Sequence, residues 1–198
     1  MDSKKVVCFD IGGTFVKYGV LDYEGNILAK GSFKSNTDNG QEILDNMCGV
    51  IEKYKKIFKI DGISISSPGF IDVENGVITT GTIINGFIGL NMKEYFGNKF
   101  GLPVVIDNDA NCATIAEHKL GNGKGCKNLV CVTIGTGIGG GIIINNEIYN
   151  GSRFMAGEFG FMFINGTKRQ NPDHYIYSNY ASTRALVEKA TERLNEEI

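Results

Sequence analysis

Residues 133–151 read TIGTGIGGGIIINNEIYNG, and the question is whether these glycines bind a dinucleotide, bind another phosphate or only form a turn. Gly135, Gly137 and Gly140 have the G-x-G-x-x-G spacing of dinucleotide-binding proteins. In those proteins a helix begins at the glycines, and its N-terminus faces the pyrophosphate. Here an isoleucine run and an Asn-Asn pair follow, which predicts a strand and a hairpin turn. We therefore expect the glycines to join two strands and to offer backbone N–H groups to an anion.

The same pattern occurs near the start of the chain. Residues 7–12 (VCFDIG) resemble residues 130–135 (VCVTIG). Both are followed by glycines, a second apolar strand, a polar turn and a third strand. This repeat predicts two lobes that each open with a three-stranded antiparallel meander, with chance similarity as the alternative. We expect an N-terminal lobe over 1–120 and an incomplete second lobe over 121–198, joined through the glycine-rich residues 121–125.

Helical and strand patterns alternate along the rest of the chain, as in an α/β protein with a mixed sheet flanked by helices. Apolar residues recur at helical spacing over 40–58, and a weaker helix is expected around 92–100. Buried strands are predicted over 62–66 and 102–106, and a further helix begins near Asp109. A single helix is expected over 181–198.

Composition excludes several classes of partner. The net charge is −2, so no basic field favours nucleic acid or an anionic membrane. No apolar window approaches the length of a membrane span, and the first apolar run is too short for a signal peptide. The five cysteines have irregular spacing without C-x-x-C, which indicates small buried residues in a reducing cytosol rather than a structural zinc site. We expect a cytoplasmic protein.

Four motifs resemble the ROK family (repressors, open reading frames and kinases), which contains bacterial sugar kinases of the actin-like ATPase (ribonuclease H-like) fold. They are DIGGT at 10–14 with Lys17, NDAN at 108–111, GTGIGGG at 135–141 and GEFG at 157–160. The motifs occur in the family's order over essentially the whole chain. The resemblance implies that fold and ATP-dependent phosphorylation of a hexose or β-glucoside, usually at the 6-hydroxyl.

The family's chemistry gives the phosphate loops their expected roles, because phosphoryl transfer requires alignment and charge neutralisation. Asp10 is expected to hold Mg²⁺, through water or phosphate. Lys17 either adds positive charge to this site or is a solvated surface lysine. The expected ATP-binding residues of the two loops are Gly12, Gly13, Thr14, Gly135, Thr136 and Gly137.

Asp109 is the candidate general base, since a carboxylate can accept the proton of a sugar hydroxyl as the P–O bond forms. As the alternative, an aspartate at a helix N-cap stabilises the helix by about 1 kcal/mol without a catalytic role. The flanking Asn108 and Asn111, together with the family match, favour catalysis. Gly69, Asn108 and Glu158 are further expected sugar ligands, although a Pro-Gly turn such as 68–69 is often only a turn.

The chain departs from the family at Phe161. Many members have at this position a histidine that contacts the sugar and ligates zinc with downstream cysteines. Residues 164–182 contain no cysteine, so no zinc site is expected. This departure resembles the zinc-less β-glucoside kinase branch. Phe161 either stacks on a sugar face or an aglycone, or is a core aromatic that replaced the metal.

The second departure is length, because family kinases continue well beyond residue 198. The remaining part normally completes the second lobe and the adenosine pocket, so we expect a truncated chain whose exposed apolar surface favours oligomers such as a homodimer. A non-catalytic sugar-binding or sensing protein of the same fold is the alternative function. Direct DNA contact is disfavoured, since the first strand starts by residue 5 and leaves no room for a helix-turn-helix.

Overall fold

The computed structural model of the protein describes residues 3–164 and 175–196. The chain divides into two compact units, Met1–Asp109 and Ala110–Ile198. This division falls at the start of a helix, earlier than the lobe boundary expected after residue 120. The lobe bounds of the whole protein stay a prediction.

The first unit contains a five-stranded mixed sheet with two helices. Its elements are β1 (Lys5–Ile11), β2 (Phe15–Asp22), β3 (Ile27–Lys34), α1 (Gly40–Lys55), β4 (Gly62–Ser67), β5 (Phe70–Asp72), β6 (Val77–Thr80), α2 (Met92–Phe100) and β7 (Val104–Asn108). The strand order is β3-β2-β1-β4-β7. β1, β2 and β3 form the expected antiparallel meander, and β4 and β7 add to β1 in parallel.

Residues 40–55 form the helix α1 because it buries one apolar face. Ile43, Met47 and Ile51 recur at helical spacing and pack into the same core as the inward-facing residues of β1 and β4. The Asn39 side chain accepts a hydrogen bond from the Glu42 N–H and caps the first turn. α1 ends at Lys55 rather than at residue 58, and the next two N–H groups, of Lys56 and Ile57, donate three residues back instead of four. On β1, burial raises the pKa of the Cys8 thiol to about 11, in keeping with a structural role.

Two features of the first unit differ from the sequence-based expectation. β5 and β6 form a separate hairpin. Its turn is held by the Asp72 carboxylate, which accepts hydrogen bonds from the N–H groups of Glu74 and Asn75. The Asn75 side-chain amide also donates to this carboxylate at 2.8 Å, and this contact, followed by the backbone N–H groups, holds the pKa of Asp72 below its usual value. The strand predicted over 102–106, with residues 107–109 at its end, is β7, which starts two residues later at Val104 and ends at Asn108.

The second unit opens with a helix and a second meander. Its elements are α3 (Asp109–Lys119, whose first residue closes the first unit), β8 (Leu129–Ile134), β9 (Ile138–Ile144), β10 (Glu147–Ile148), a 3₁₀ turn (Phe159–Phe161), α4 (Ser178–Ala181) and α5 (Thr183–Glu196). The antiparallel order β10-β9-β8 confirms the second meander.

Two expectations about this unit are wrong in detail. Gly139, Gly140 and Gly141 lie inside β9 and not in the turn between the strands. They permit close packing, since a Cβ on Gly141 would lie 2.5 Å from the Thr114 hydroxyl oxygen of α3. The single helix predicted over 181–198 is α5, which starts at Thr183 and not at residue 181, because Ser182 adopts an extended conformation and its hydroxyl accepts the Ala185 N–H at 3.2 Å; the short α4 precedes it.

Candidate active site

The carboxyl ends of three parallel strands meet at one edge of the first sheet. In the strand register Asp10 of β1 lies beside Ser66 of β4, and Ser66 lies beside Asp107 of β7. Lys17 of β2 lies on the other side of Asp10. Residues side by side in a sheet point to the same face. A polar row of Lys17, Asp10, Ser66 and Asp107 therefore crosses four strands, and we refer to it as the polar row.

Both oxygens of the Asp10 carboxylate have a neighbour in this row. The Ser66 hydroxyl donates a hydrogen bond to Oδ1 at 3.0 Å, and Lys17 Nζ lies 3.7 Å from Oδ2. The Lys17 and Asp10 side chains are 73% and 53% exposed, so the lysine is both solvated and paired with the expected metal residue. An exposed carboxylate beside a hydroxyl offers the oxygen donors that Mg²⁺ prefers, so these residues fit the ion.

Gly12, Gly13 and Thr14 form the connection between β1 and β2, directly after Asp10. The Gly12 N–H donates to the Phe15 carbonyl at 3.1 Å, and the Thr14 carbonyl accepts from the Ser35 N–H at 2.9 Å. A Cβ on Gly12 would lie 2.9 Å from the Phe15 oxygen, so the turn requires glycine at this position. Gly13 and Thr14 are exposed, as a phosphate-binding loop requires.

Two expected sugar ligands contact each other at this edge. Asn108 Nδ2 donates to the Gly69 carbonyl at 3.0 Å, and the Asn108 N–H donates to Asp107 Oδ1 at 2.7 Å. Gly69 has φ +107°, and a Cβ there would lie 2.6 Å from the Thr80 carbonyl oxygen. Asp109 follows at once, exposed and in the first turn of α3. An acidic residue in a first helical turn also favours the helix, so this position suits the structural alternative as well.

The second glycine turn lies in the other unit, where Gly135, Thr136 and Gly137 join β8 to β9 and are exposed. The Gly135 N–H donates to the Gly137 carbonyl at 2.9 Å. The Gly135 carbonyl accepts from the Thr183 N–H at the start of α5, and the Ser178 hydroxyl of α4 accepts the Ile138 N–H, both at 2.9 Å. The ends of two helices thus hold this turn. The Ser-Thr pair at 182–183 signals a helix start, but nothing in the sequence indicates this contact.

Glu158 and Phe161 lie at the 3₁₀ turn of the second unit. Glu158 is half-buried, and its carbonyl accepts the Phe161 N–H at 3.2 Å. The Phe161 side chain is 57% exposed, which the core-aromatic interpretation does not explain. Of the cysteine-free stretch 164–182, residues 165–174 lie outside the described residues. Within the described part, no group of three or more His, Cys, Asp or Glu side chains could hold a metal ion.

The structure thus groups Asp10, the first glycine loop, Lys17, Gly69 and the Asn108–Asp109 pair in one unit. It groups the second glycine turn with Glu158 in the other. The pairing of both loops around one polyphosphate stays a prediction. Two members of the polar row, Ser66 and Asp107, were not foreseen as site residues. The parallel pairing of β1, β4 and β7 places Ser66 and Asp107 in the polar row. In the sequence, only the polar residues at the ends of predicted strands indicate such a row.

The model of the ROK family matches residues 6–197. The chain belongs to the ROK family. A β-glucoside kinase of Listeria monocytogenes is 42% identical to this ROK chain over 187 residues, which are 92% of the chain and 61% of the relative. The chain therefore spans about three fifths of the length of the curated relatives it matches.

Two solved structures resemble this ROK chain closely. One is a Listeria monocytogenes protein proposed to be an N-acetylmannosamine kinase, with 39% identity and a TM-score of 0.89 over 98% of this chain and 67% of that one. The other is a ROK glucokinase of Streptomyces griseus in complex with glucose and AMPPNP, with 31% identity and a TM-score of 0.81 over 97% and 62%. They confirm the expected actin-like fold. No helix in residues 3–164 and 175–196 has both the length and the apolar character that crossing a membrane requires.

Proposed function

We propose that the protein is a cytoplasmic, ATP-dependent sugar kinase that transfers the γ-phosphate to the 6-hydroxyl of a hexose or β-glucoside. The main support for this proposal is the arrangement of side chains at one edge of the first sheet. There the Asn108–Gly69 contact, Asp109 and the Asp10 loop lie at the carboxyl ends of neighbouring parallel strands. The names of the relatives support the same activity. The free cysteines fit a reducing compartment.

The sugar side of the site is assigned to Asp109 and its neighbours. Asp109 accepts the proton of the attacking hydroxyl, which is a poor nucleophile until that proton is removed. Asn108 and the Gly69 backbone orient the sugar, and their mutual hydrogen bond holds both in one geometry. Glu158 of the second unit supplies a further acceptor for sugar hydroxyls.

The phosphate side is assigned to the two glycine turns and Asp10. The backbone groups of Gly12, Gly13, Thr14 and of residues 135–137 hold the ATP phosphates, and Lys17 adds positive charge beside Asp10. When bound through Asp10, Mg²⁺ supplies charge neutralisation for the transferring phosphoryl group. No zinc is required in this assignment.

The test is a coupled assay of ADP release with Mg-ATP against glucose, N-acetylated hexosamines and β-glucosides. It is run on the 198-residue chain and on the complete product of its gene. We expect sugar-dependent ADP release by the complete product, with a β-glucoside or glucose as the preferred acceptor. Calorimetric binding of a sugar without any turnover would instead support the non-catalytic sensor and reject the kinase.

A further inference from the structure

We infer that Ser66 is a positioning residue that fixes the orientation of the Asp10 carboxylate. This inference rests on the function proposed above for Asp10. The Ser66 hydroxyl donates to Asp10 Oδ1 at 3.0 Å across the parallel β1–β4 pair. The two residues are direct partners in the strand register, so the backbone itself holds the hydroxyl beside the carboxylate.

The carboxylate is held from both neighbouring strands. Ser66 contacts Oδ1 from β4, and Lys17 approaches Oδ2 to 3.7 Å from β2. The Asp10 side chain is 53% exposed, so packing alone would not select one of its staggered rotamers. Lys17 Nζ, at 3.7 Å and on a side chain that is 73% exposed, is too distant for a hydrogen bond, so the hydrogen bond from Ser66 sets which way the carboxylate faces.

The position of Ser66 between two acidic residues explains why a small hydroxyl side chain suits this place. Asp107 is the register partner of Ser66 on its other side, and Asp107 Oδ1 accepts the Asn108 N–H at 2.7 Å. A serine hydroxyl has one proton to donate, and Ser66 gives it to Asp10. The row thus alternates lysine, carboxylate, hydroxyl and carboxylate, without two like charges in adjacent positions.

A carboxylate oriented in advance is a better ligand for Mg²⁺ than one that must be ordered on binding. Loss of a residue that orients a metal ligand generally costs about 10- to 100-fold in metal affinity or activity. Because Asp10 is exposed, we expect the lower end of that range, about a tenfold weaker apparent affinity for Mg²⁺ when the hydroxyl is removed.

The experiment compares Ser66→Ala with Ser66→Thr, which keeps the hydroxyl, and with Ser64→Ala as a matched control. Ser64 is half-buried on the same strand and faces the same side two residues earlier. The first readout is the set of three-bond NMR couplings of the Asp10 side chain in the 198-residue chain without ligand. The second is the Mg²⁺ dependence of sugar-stimulated ADP release by the complete gene product.

We expect one Asp10 rotamer in the wild type, Ser66→Thr and Ser64→Ala. Only Ser66→Ala should show rotamer averaging and an about tenfold weaker apparent affinity for Mg²⁺. Unchanged couplings in Ser66→Ala, or equal averaging in Ser64→Ala, would overturn the positioning role. Full activity of an Asp10→Asn variant would instead overturn the proposed role of Asp10. The coupling measurement reports on the contact itself, so the two failures are distinguishable.

Discussion

Asp109 is the first residue of α3 and directly follows the last residue of β7, Asn108, whose side chain contacts Gly69. This junction places an exposed carboxylate next to two groups that can hold sugar hydroxyls. The same position also suits a residue that only stabilises the start of the helix. A substitution that keeps the helix start and removes the base separates the two roles.

Asp109→Asn is that substitution, because asparagine keeps the size and the carbonyl oxygen of the side chain but does not accept the proton, and the lost first-turn charge costs the helix only about 0.3–1 kcal/mol. We expect kcat for sugar phosphorylation to fall roughly 10²- to 10⁴-fold, with sugar binding and unfolding temperature nearly unchanged. Asp45→Asn on the exposed face of α1 is the control and should keep full activity. Retention of full activity by Asp109→Asn would reject Asp109 as the base.

Phe161 is expected to determine which sugars are accepted. An exposed aromatic ring next to Glu158 can stack on the apolar face of a sugar or aglycone. Phe161→Ala should raise KM for a β-glucoside by more than it raises KM for glucose, because only the glucoside carries a second group to stack. Steady-state kinetics with both acceptors tests this: equal increases in both KM values would count against stacking on the aglycone, and unchanged KM values would reject any stacking role.

Two glycines of α1 differ in the space available for a side chain. Gly49 is exposed in the middle of the helix, and a Cβ there meets no atom within 4 Å. Gly40 begins the helix with its N–H on the Asn85 carbonyl at 3.1 Å, and a Cβ there would overlap the Asn85 oxygen and the Phe87 ring. The same substitution should therefore have opposite effects.

Gly49→Ala should raise the free energy of unfolding by about 0.5–1 kcal/mol, because alanine restricts the unfolded chain and favours the helix. Gly40→Ala should lower it by about 1–3 kcal/mol through overpacking. Urea denaturation of the 198-residue chain measures both changes. A stabilising effect of Gly40→Ala would contradict the packing described for the start of α1.

Periodicity in the sequence is sufficient for the elements whose apolar residues face one core. α1 and both meanders were predicted for this reason. The β5–β6 hairpin was missed, since its strands are only three and four residues long and each places one fully buried isoleucine, Ile71 or Ile78, in the core, which is too short a pattern to show a period. The polar row depends on the register between β1, β4 and β7, and residues from separate strands, such as Asp10, Ser66 and Asp107, show no spacing that predicts it.

The first strands of the two meanders differ in how many strands pair with them. In the first unit β1 pairs on both sides, with β2 and β4. Among the described residues of the second unit, β8 pairs with β9 alone. Val130, Val132 and Ile134 alternate along β8 and are 58%, 49% and 69% exposed. An apolar strand with an unpaired edge is a site for association.

We therefore expect the 198-residue chain to self-associate in a concentration-dependent manner, which analytical ultracentrifugation can measure. Val132→Lys should weaken the association, because it places a charge in the centre of the apolar strand face. Ile57→Lys, at an exposed isoleucine after α1 and outside any strand, is the control and should have little effect. A monomeric wild type, or equal effects of both variants, would contradict a β8 interface.

Identification of the reaction product tests whether the protein transfers a phosphoryl group to the 6-hydroxyl of a sugar. The complete gene product is incubated with Mg-ATP and either glucose or cellobiose, and the product is analysed by mass spectrometry and phosphorus–proton NMR. We predict a sugar 6-phosphate formed in equal amount to ADP and strongly reduced for Asp109→Asn. A folded protein that binds the sugar and forms no sugar phosphate would contradict the kinase assignment.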